Sequence, residues 1–339
     1  MHVALVMAGI EDGGMEKHVL ELALGLAEAG LRVTVVAHRR YAWQLQEDRV
    51  GFCAVDLGKS RRHPLALWSL RCALWQLRPD LIHVHGNKAA AMVGSLKRWL
   101  PRVPLLATFH SSRGQVRMFR PFAAVIAVSQ RAAQVLFEQL PDQQVYVIHN
   151  GIQQPIRQGG LVRQPGLLLA VGRLVPIKNF AALIEAVRDL PVRLWIAGEG
   201  PERAALTAQI AQHRQQDQVQ LLGHRDDVPA LLQQASWHVI SSHDEGGPYT
   251  LAEALLLECP VLSTPVGMVP DYVAASWLSA NSSAMALHAL IDAALEQDAV
   301  QVQRAFAESF RRARVELTFE AMRDQVLALY GQLLQASPS

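Results

Sequence analysis

The sequence predicts an α/β protein of two Rossmann-like, doubly wound domains facing each other across a cleft. Three observations carry that expectation. Short apolar runs alternate with amphipathic helical patterns, which is the grammar of βαβ units and parallel sheets. The alternation stops once, at residues 150–166 (NGIQQPIRQGGLVRQPG), a Gly-, Pro- and Gln-rich stretch that reads as a linker, and then restarts. A chain of 339 residues is also too long for one comfortable core.

Taken in order, HVALVMA reads as a strand, MEKHVLELALGLAEAG as a helix closed by Gly30, and LRVTVVA as the next strand. Strands follow at 81–84, 105–109, 124–128 and 145–148, with helices at 65–77 and 131–139. After the linker come the strand GLLLAVGR, the helix NFAALIEAVRDL, the strand VRLWIAGEG and the helix PERAALTAQIAQHR. VQLLG, HVISS and CPVLST are strands, separated by the helices VPALLQQA and YTLAEALLLE. The long helical pattern at 317–334 is placed back on the first domain. The expected division is a first domain of 1–155, completed by a helix at 319–339, and a second of 156–318.

Half of the residues are apolar and 18% are charged, as in ordinary globular proteins. No apolar run approaches the ~18–20 residues that span a bilayer. The N-terminal apolar stretch is short and lacks a basic leader, so no signal peptide is expected and the chain is assigned to the cytoplasm. Cys53, Cys72 and Cys259 are odd in number and widely spread, which suits thiols in a reducing compartment rather than a metal site. Residues 1–150 hold 18 Lys and Arg against 11 Asp and Glu, whereas the remainder holds 14 against 19. A basic first half suits an anionic partner, such as a phosphorylated acceptor or a membrane surface.

Two segments concentrate chemistry. VGRLVPIKNF sets Arg173 and Lys178 just past a strand, where a guanidinium fork and a mobile ammonium can clamp a diphosphate. Such a pair also stabilises charge that develops on a leaving group. HDEGGPYTLAEAL sets Glu245 and Glu253 across a turn that opens a helix. Gly246 and Gly247 let a ligand approach the backbone, and Pro248 suits a first helical turn. The amides of Tyr249 and Thr250 favour a phosphate there. The carboxylates would be repelled by that phosphate, so they are assigned to neutral hydroxyls. A nucleotide-sugar offers both diphosphate and hydroxyls. The first loop, AGIEDGGMEKH, has no GxGxxG, which argues against hydride transfer, and no nucleophile elbow occurs.

These segments carry a family resemblance. AVGRLVPIKNFAALIEAV, LWIAGEGPERAAL, VQLLGHRDDVPALLQQA and EGGPYTLAEALLLECPVLSTPVGMVPDYV resemble the retaining GT-B glycosyltransferases of family 4. GGMEKHVLELALGLAEAGLRVTVV, DLIHVHGNKAA and ATFHS are similar to that family in the first half. Gly247 stands where several members carry an aromatic residue. The resemblance implies a GT-B fold and transfer with retention at the anomeric carbon, without an obligatory metal or other cofactor. It implies Arg173 and Lys178 on the donor diphosphate, Glu245 on the sugar hydroxyls and Glu253 on the ribose. It implies Gly13 and Gly14 near the phosphates and acceptor, and Gly223–Val228, with His224 and Arg225, against the base.

His110, at a strand end in ATFHS, is assigned to the transferred sugar or the developing oxocarbenium ion. His83 and His85 flank Val84 and are assigned to opposite faces of the sheet, so that they do not share a metal; His85 is the acceptor-side candidate. Arg113 and Arg117, with Arg120, interleave with Met118, Phe119 and Phe122 and are assigned to the acceptor or an anionic membrane. Trp68 and Trp75, two turns apart behind Lys59, Arg61 and Arg62, are expected to pack into the core.

The reading is therefore a hexosyltransferase, with a UDP-sugar as donor and a cell-surface glycan or lipopolysaccharide precursor as acceptor. Its partners are nucleotide-sugar, a glycan or lipid-linked acceptor and the inner face of the membrane, without nucleic acid. A GT-B nucleotide-sugar epimerase and a non-catalytic sugar-nucleotide-binding protein are the alternatives.

Overall fold

The computed structural model describes residues 1–10, 13–45 and 49–336. It divides into two compact units, Met1–Asn150 with Glu320–Ser339, and Gly151–Phe319. Ile152 bridges to Thr318 and its amide donates to the Leu317 carbonyl. That pairing ties the chain to the second unit earlier than the boundary expected at 155/156.

In the first unit the strands are β1 (His2–Met7), β2 (Arg32–Ala37), β3 (Val50–Ala54), β4 (Leu81–His85), β5 (Leu105–Phe109), β6 (Ala124–Ala127) and β7 (Val145–Val147). Their order is β3-β2-β1-β4-β5-β6-β7, all parallel. The connecting helices are α1 (Gly14–Glu28), α2 (Pro64–Leu77), α3 (Gly86–Leu96) and α4 (Gln130–Gln139). Burial of every residue of β1, β4 and β5 follows from helices covering both faces of a parallel sheet. α4 begins where the Ser129 hydroxyl accepts from the Ala132 amide, an N-cap that satisfies one orphan donor.

The second unit holds β8 (Gln164–Val171), α5 (Phe180–Ala186), β9 (Arg193–Ala197), α6 (Arg203–Gln212), β10 (Val219–Gly223) and α7 (Val228–Gln234). It continues with β11 (Ala235–Ile240), α8 (Tyr249–Leu256), β12 (Val261–Ser263), α9 (Val269–Tyr272), α10 (Ala284–Leu295) and α11 (Ala299–Glu316). Its parallel order is β10-β9-β8-β11-β12. The final helix, α12 (Phe319–Ala336), returns to the first unit, where fully buried Tyr330 meets His83. The last three residues of the helix expected at 319–339 lie outside the described residues.

Both sheets change direction of winding once, between β1 and β4 and between β8 and β11. Such a switch point leaves two adjacent strand ends whose loops run apart, which is where doubly wound sheets bind ligands.

Three expectations are corrected by side-chain placement. His83 and His85 share a face, with ring centroids 4.2 Å apart, because strand side chains alternate and residues two apart point the same way. Trp68 and Trp75 face outward; the small and branched residues Ala66, Leu70, Ala73 and Leu74 form the inward stripe of α2 instead. Phe119 and Phe122 are buried in the first core, so they do not accompany Arg117 and Arg120 on the surface.

Candidate functional site

In the second unit the candidate residues collect at the carboxyl edge of the sheet, around the β8/β11 switch point. β8 ends at Val171 and the chain turns through Arg173 into a single 3-10 turn, Pro176–Lys178. β11 ends at Ile240, and the loop to α8 carries Glu245, Gly246 and Gly247. Lys178 Nζ donates to Glu245 Oε1 at 2.6 Å, with side chains only 23% and 14% exposed. The Ser242 hydroxyl donates to the same oxygen at 2.7 Å. The cation and carboxylate drawn from separate segments therefore meet directly.

Backbone bonds hold this arrangement. Asn179 takes a left-handed conformation (φ 57°) and its Nδ2 donates to the carbonyls of Ser241 and Ser282. The Ser241 hydroxyl donates to the Lys178 carbonyl, and the His243 amide to the Ile177 carbonyl. Both loops of the switch point are thereby pinned to each other. Behind them, a Cβ on Gly198 would lie 1.8 Å from the Gly172 carbonyl oxygen, and one on Gly267 2.2 Å from that of Gly246. Only glycine lets these chains pass so close. The Met268 amide donates to the Gly246 carbonyl, fixing the Gly-Gly turn from below.

α8 opens at Pro248, a position without a side-chain cap, so the Tyr249 and Thr250 amides stand at the positive end of the helix dipole. Glu253 is half-buried one turn in. His224 and Arg225 follow β10 at the same sheet edge, on an exposed loop. His224 pairs with Asp226 at 3.2 Å, and Arg225 grips Asp227 through two bonds of 2.7 and 2.6 Å. These are local ties, apart from the Lys178–Glu245 cluster in the bonds they make.

In the first unit, Gly13 is the N-cap of α1 and Gly14 its first residue. A Cβ on Gly13 would lie 2.9 Å from Glu16 Oε2, so Gly13 makes room for a buried carboxylate at the head of the helix. His110 follows β5 and shares a 3.2 Å hydrogen bond between its Nε2 and His85 Nδ1. His18, one turn into α1, stands edge-on to His110 with centroids 4.9 Å apart. Ring nitrogens of His18, His85 and His110 lie within 4.8 Å of one another, a spacing at which three imidazoles can hold a metal ion. His83 is satisfied at both nitrogens, by the Tyr330 and Thr108 hydroxyls at 2.7 Å each.

Burial keeps this cluster neutral. It lowers His18 to about 4, and together with the neighbouring His18 it lowers His83 to about 3. Burial first, then the surrounding histidines, hold His85 and His110 well below the usual imidazole range. Arg113 and Arg117 are exposed, Arg117 in a 3-10 turn after the His110 loop. The sequence reading did not single out Ser242, Asn179, Gly198, Gly267 or His18. Asn179, Gly198 and Gly267 serve loop geometry across long sequence separations, Ser242 orients the neighbouring Glu245, and His18 reads as an ordinary helix position until β4 and β5 bring their histidines to it.

The family model described as Glycosyltransferase Family 4 matches residues 12–154, and that described as Glycosyl transferases group 1 matches 153–313. The chain is 28% identical over 228 residues to a putative teichuronic acid biosynthesis glycosyltransferase of Bacillus subtilis, covering 57% of this chain and 55% of that protein. It is 24% identical over 267 residues to a lipopolysaccharide core biosynthesis glycosyltransferase of Rhizobium meliloti, covering 75% and 76%. The chain spans 58%, 55% and 58% of the lengths of the first curated relatives that it matches. HepE of Anabaena, solved with UDP, superposes with a TM-score of 0.82 at 18% identity, over 98% of this chain and 100% of that one.

Proposed function

Since the chain belongs to the group 1 and family 4 glycosyltransferases and has their GT-B fold, we propose that it transfers a hexose-type sugar from a UDP-sugar, with retention, to a hydroxyl of a growing cell-surface glycan or lipopolysaccharide precursor. The observation that carries the reading is the contact of Lys178 with Glu245 at the β8/β11 switch point. A ligand placed there meets a cation and a carboxylate within one hydrogen-bond length of each other. It also meets the amino end of α8. A sugar diphosphate answers all three: its phosphates suit the ammonium and the helix end, and its hydroxyls suit the carboxylate.

The roles follow from charge. Arg173 and Lys178 balance the charge that grows on the departing diphosphate, so the reaction is proposed to run without an obligatory metal. Glu245 and Glu253 accept from sugar and ribose hydroxyls, and Gly247 leaves the backbone accessible beside them. His110, held neutral, donates to or accepts from an uncharged sugar oxygen rather than pairing with phosphate. The acceptor hydroxyl attacks from the face that the diphosphate leaves, which gives retention without an enzymic nucleophile. Work at the inner face of the cytoplasmic membrane fits a lipid-linked acceptor.

A thermal-shift panel of nucleotide-sugars, with and without a chelator, tests the reading. UDP-sugars should raise the melting temperature more than ADP- or GDP-sugars, and the chelator should change nothing. No shift with any nucleotide-sugar, or loss of the shift with chelator, would contradict it. Product analysis then separates a transferase, which yields a glycosylated acceptor, from an epimerase, which does not, and anomeric analysis of the glycosylated product tests retention.

A further inference from the structure

We propose that the outward face of α2, with the adjoining Lys97–Trp99 turn, docks on an anionic lipid bilayer; this deepens the membrane-linked acceptor of the preceding reading. Four bulky apolar side chains stand in solvent here: Leu65, Trp68, Trp75 and Trp99, exposed by 65, 61, 49 and 57%. Leu65, Trp68 and Trp75 share one stripe of α2, at spacings of about one and two turns. Trp75 Nε1 and Arg71 Nε both donate to the Trp99 carbonyl, which joins the stripe to the turn as one surface. An apolar face of this size on a soluble surface calls for a partner.

Charge identifies that partner. Between Leu57 and Glu138 the sequence holds 13 Lys and Arg, and Asp80 is its one acidic residue. Arg61 and Arg62 border α2 at its start, Arg78 at its end, and Lys97 and Arg98 lie in the turn; all five are exposed. A second copy of this face would set these cations against one another, a juxtaposition that like charges oppose. A planar sheet of anionic headgroups answers all of them at once. Indole rings also prefer the headgroup level, where an apolar body and a polar edge are both satisfied. The mean direction of attraction is thus set by the arginines, and the depth by the tryptophans.

The test uses the full chain and vesicles of phosphatidylcholine with or without phosphatidylglycerol, read by co-sedimentation and tryptophan emission. The wild type should partition onto the mixed vesicles at least about tenfold more strongly than onto phosphatidylcholine alone, with a blue-shifted emission, and salt should weaken it. Trp68→Ser with Trp99→Ser, two side chains that donate no hydrogen bond here, should lower partitioning by about tenfold or more. Arg61→Glu with Arg62→Glu should remove most of the salt dependence. Circular dichroism and the UDP-sugar thermal shift should be unchanged in both variants, which separates failure of this proposal from failure of the transferase reading. Equal binding to both kinds of vesicle, or variants that bind as tightly as the wild type, would overturn it. So would a wild-type dimer that the tryptophan variants dissolve without any vesicle binding.

Discussion

Mild acid should weaken the first unit through its buried histidines. His18 and His83 titrate near 6.5 when unfolded, but burial lowers them to about 4 and about 3 in the folded unit. Below 6.5 the unfolded chain therefore binds protons that the folded chain refuses, so stability falls as the pH falls. The window runs from about 6.5 down to the folded values, below which the slope fades. At about 1.4 kcal/mol per pH unit, each group costs about 2 kcal/mol on going from pH 7 to about pH 5, so the two together cost about 4. His85 and His110 are displaced in the same direction and add to that loss. Urea unfolding followed by circular dichroism at both pH values measures it. His83→Gln isolates one share. This variant loses the bonds to Tyr330 and Thr108 and so starts less stable at neutral pH. Its pH-dependent change should nevertheless shrink by about 2 kcal/mol. A wild type of constant stability between these pH values, or a variant that keeps the full dependence, refutes the reasoning.

The other expectations concern the second unit. Lys178→Ala should lower kcat by about 10²–10³, measured by UDP release with an acceptor present, while circular dichroism shows the fold kept. Turnover near that of the wild type would remove Lys178 from the leaving-group role. Glu245→Gln removes the carboxylate that competes for Lys178 Nζ, so calorimetry should find UDP alone bound about threefold more tightly while sugar transfer falls by at least about tenfold. Gly198→Ala drives a methyl group into the Gly172 carbonyl and should cost about 2–4 kcal/mol in urea unfolding of the second unit; an unchanged midpoint would show that the two chains can separate.

Local features of the sequence were read correctly where the physics is local. LLLAV, between Gly166 and Gly172, and the stretches that follow Pro191 and Pro260 are short and largely apolar, and they lie in β8, β9 and β12. The Arg173–Lys178 and Glu245–Glu253 spacings are equally local, so both segments stood out. Their use on one ligand was expected, but the direct contact was not, because Lys178 and Glu245 are 67 residues apart and only the β8–β11 adjacency brings Nζ to Oε1. α2 shows a different limit. Both of its stripes are apolar, Ala66, Leu70, Ala73 and Leu74 on one and Leu65, Trp68 and Trp75 on the other, so periodicity alone cannot choose the inward one. Close packing against the sheet selects the small and branched set, and the indoles are left outside. His83 and His85 were misassigned for a simpler reason. A strand repeats every two residues, so the flanking positions of Val84 had to share a face.

The two units place opposite chemistry at the same edge of the same kind of sheet. Around the β1/β4 switch point the first unit sets His18, His85 and His110, which burial holds neutral through the physiological range. Around β8/β11 the second sets an ammonium in contact with a carboxylate, and a helix amino end follows the carboxylate in the same loop. Neutral imidazoles exchange hydrogen bonds with hydroxyls at little electrostatic cost, but they cannot offset a dianionic diphosphate. An ammonium can, and its existing bond to Glu245 keeps it from carrying an uncompensated charge before a phosphate arrives. Charge therefore favours the second unit for the diphosphate of the proposed donor, and neutral oxygens as partners for the first unit's histidines. In the proposed reaction, a phosphate that drew Nζ away would leave Glu245 Oε1 with the Ser242 hydroxyl as its donor and room to accept from a sugar hydroxyl, an exchange that the Glu245→Gln calorimetry tests.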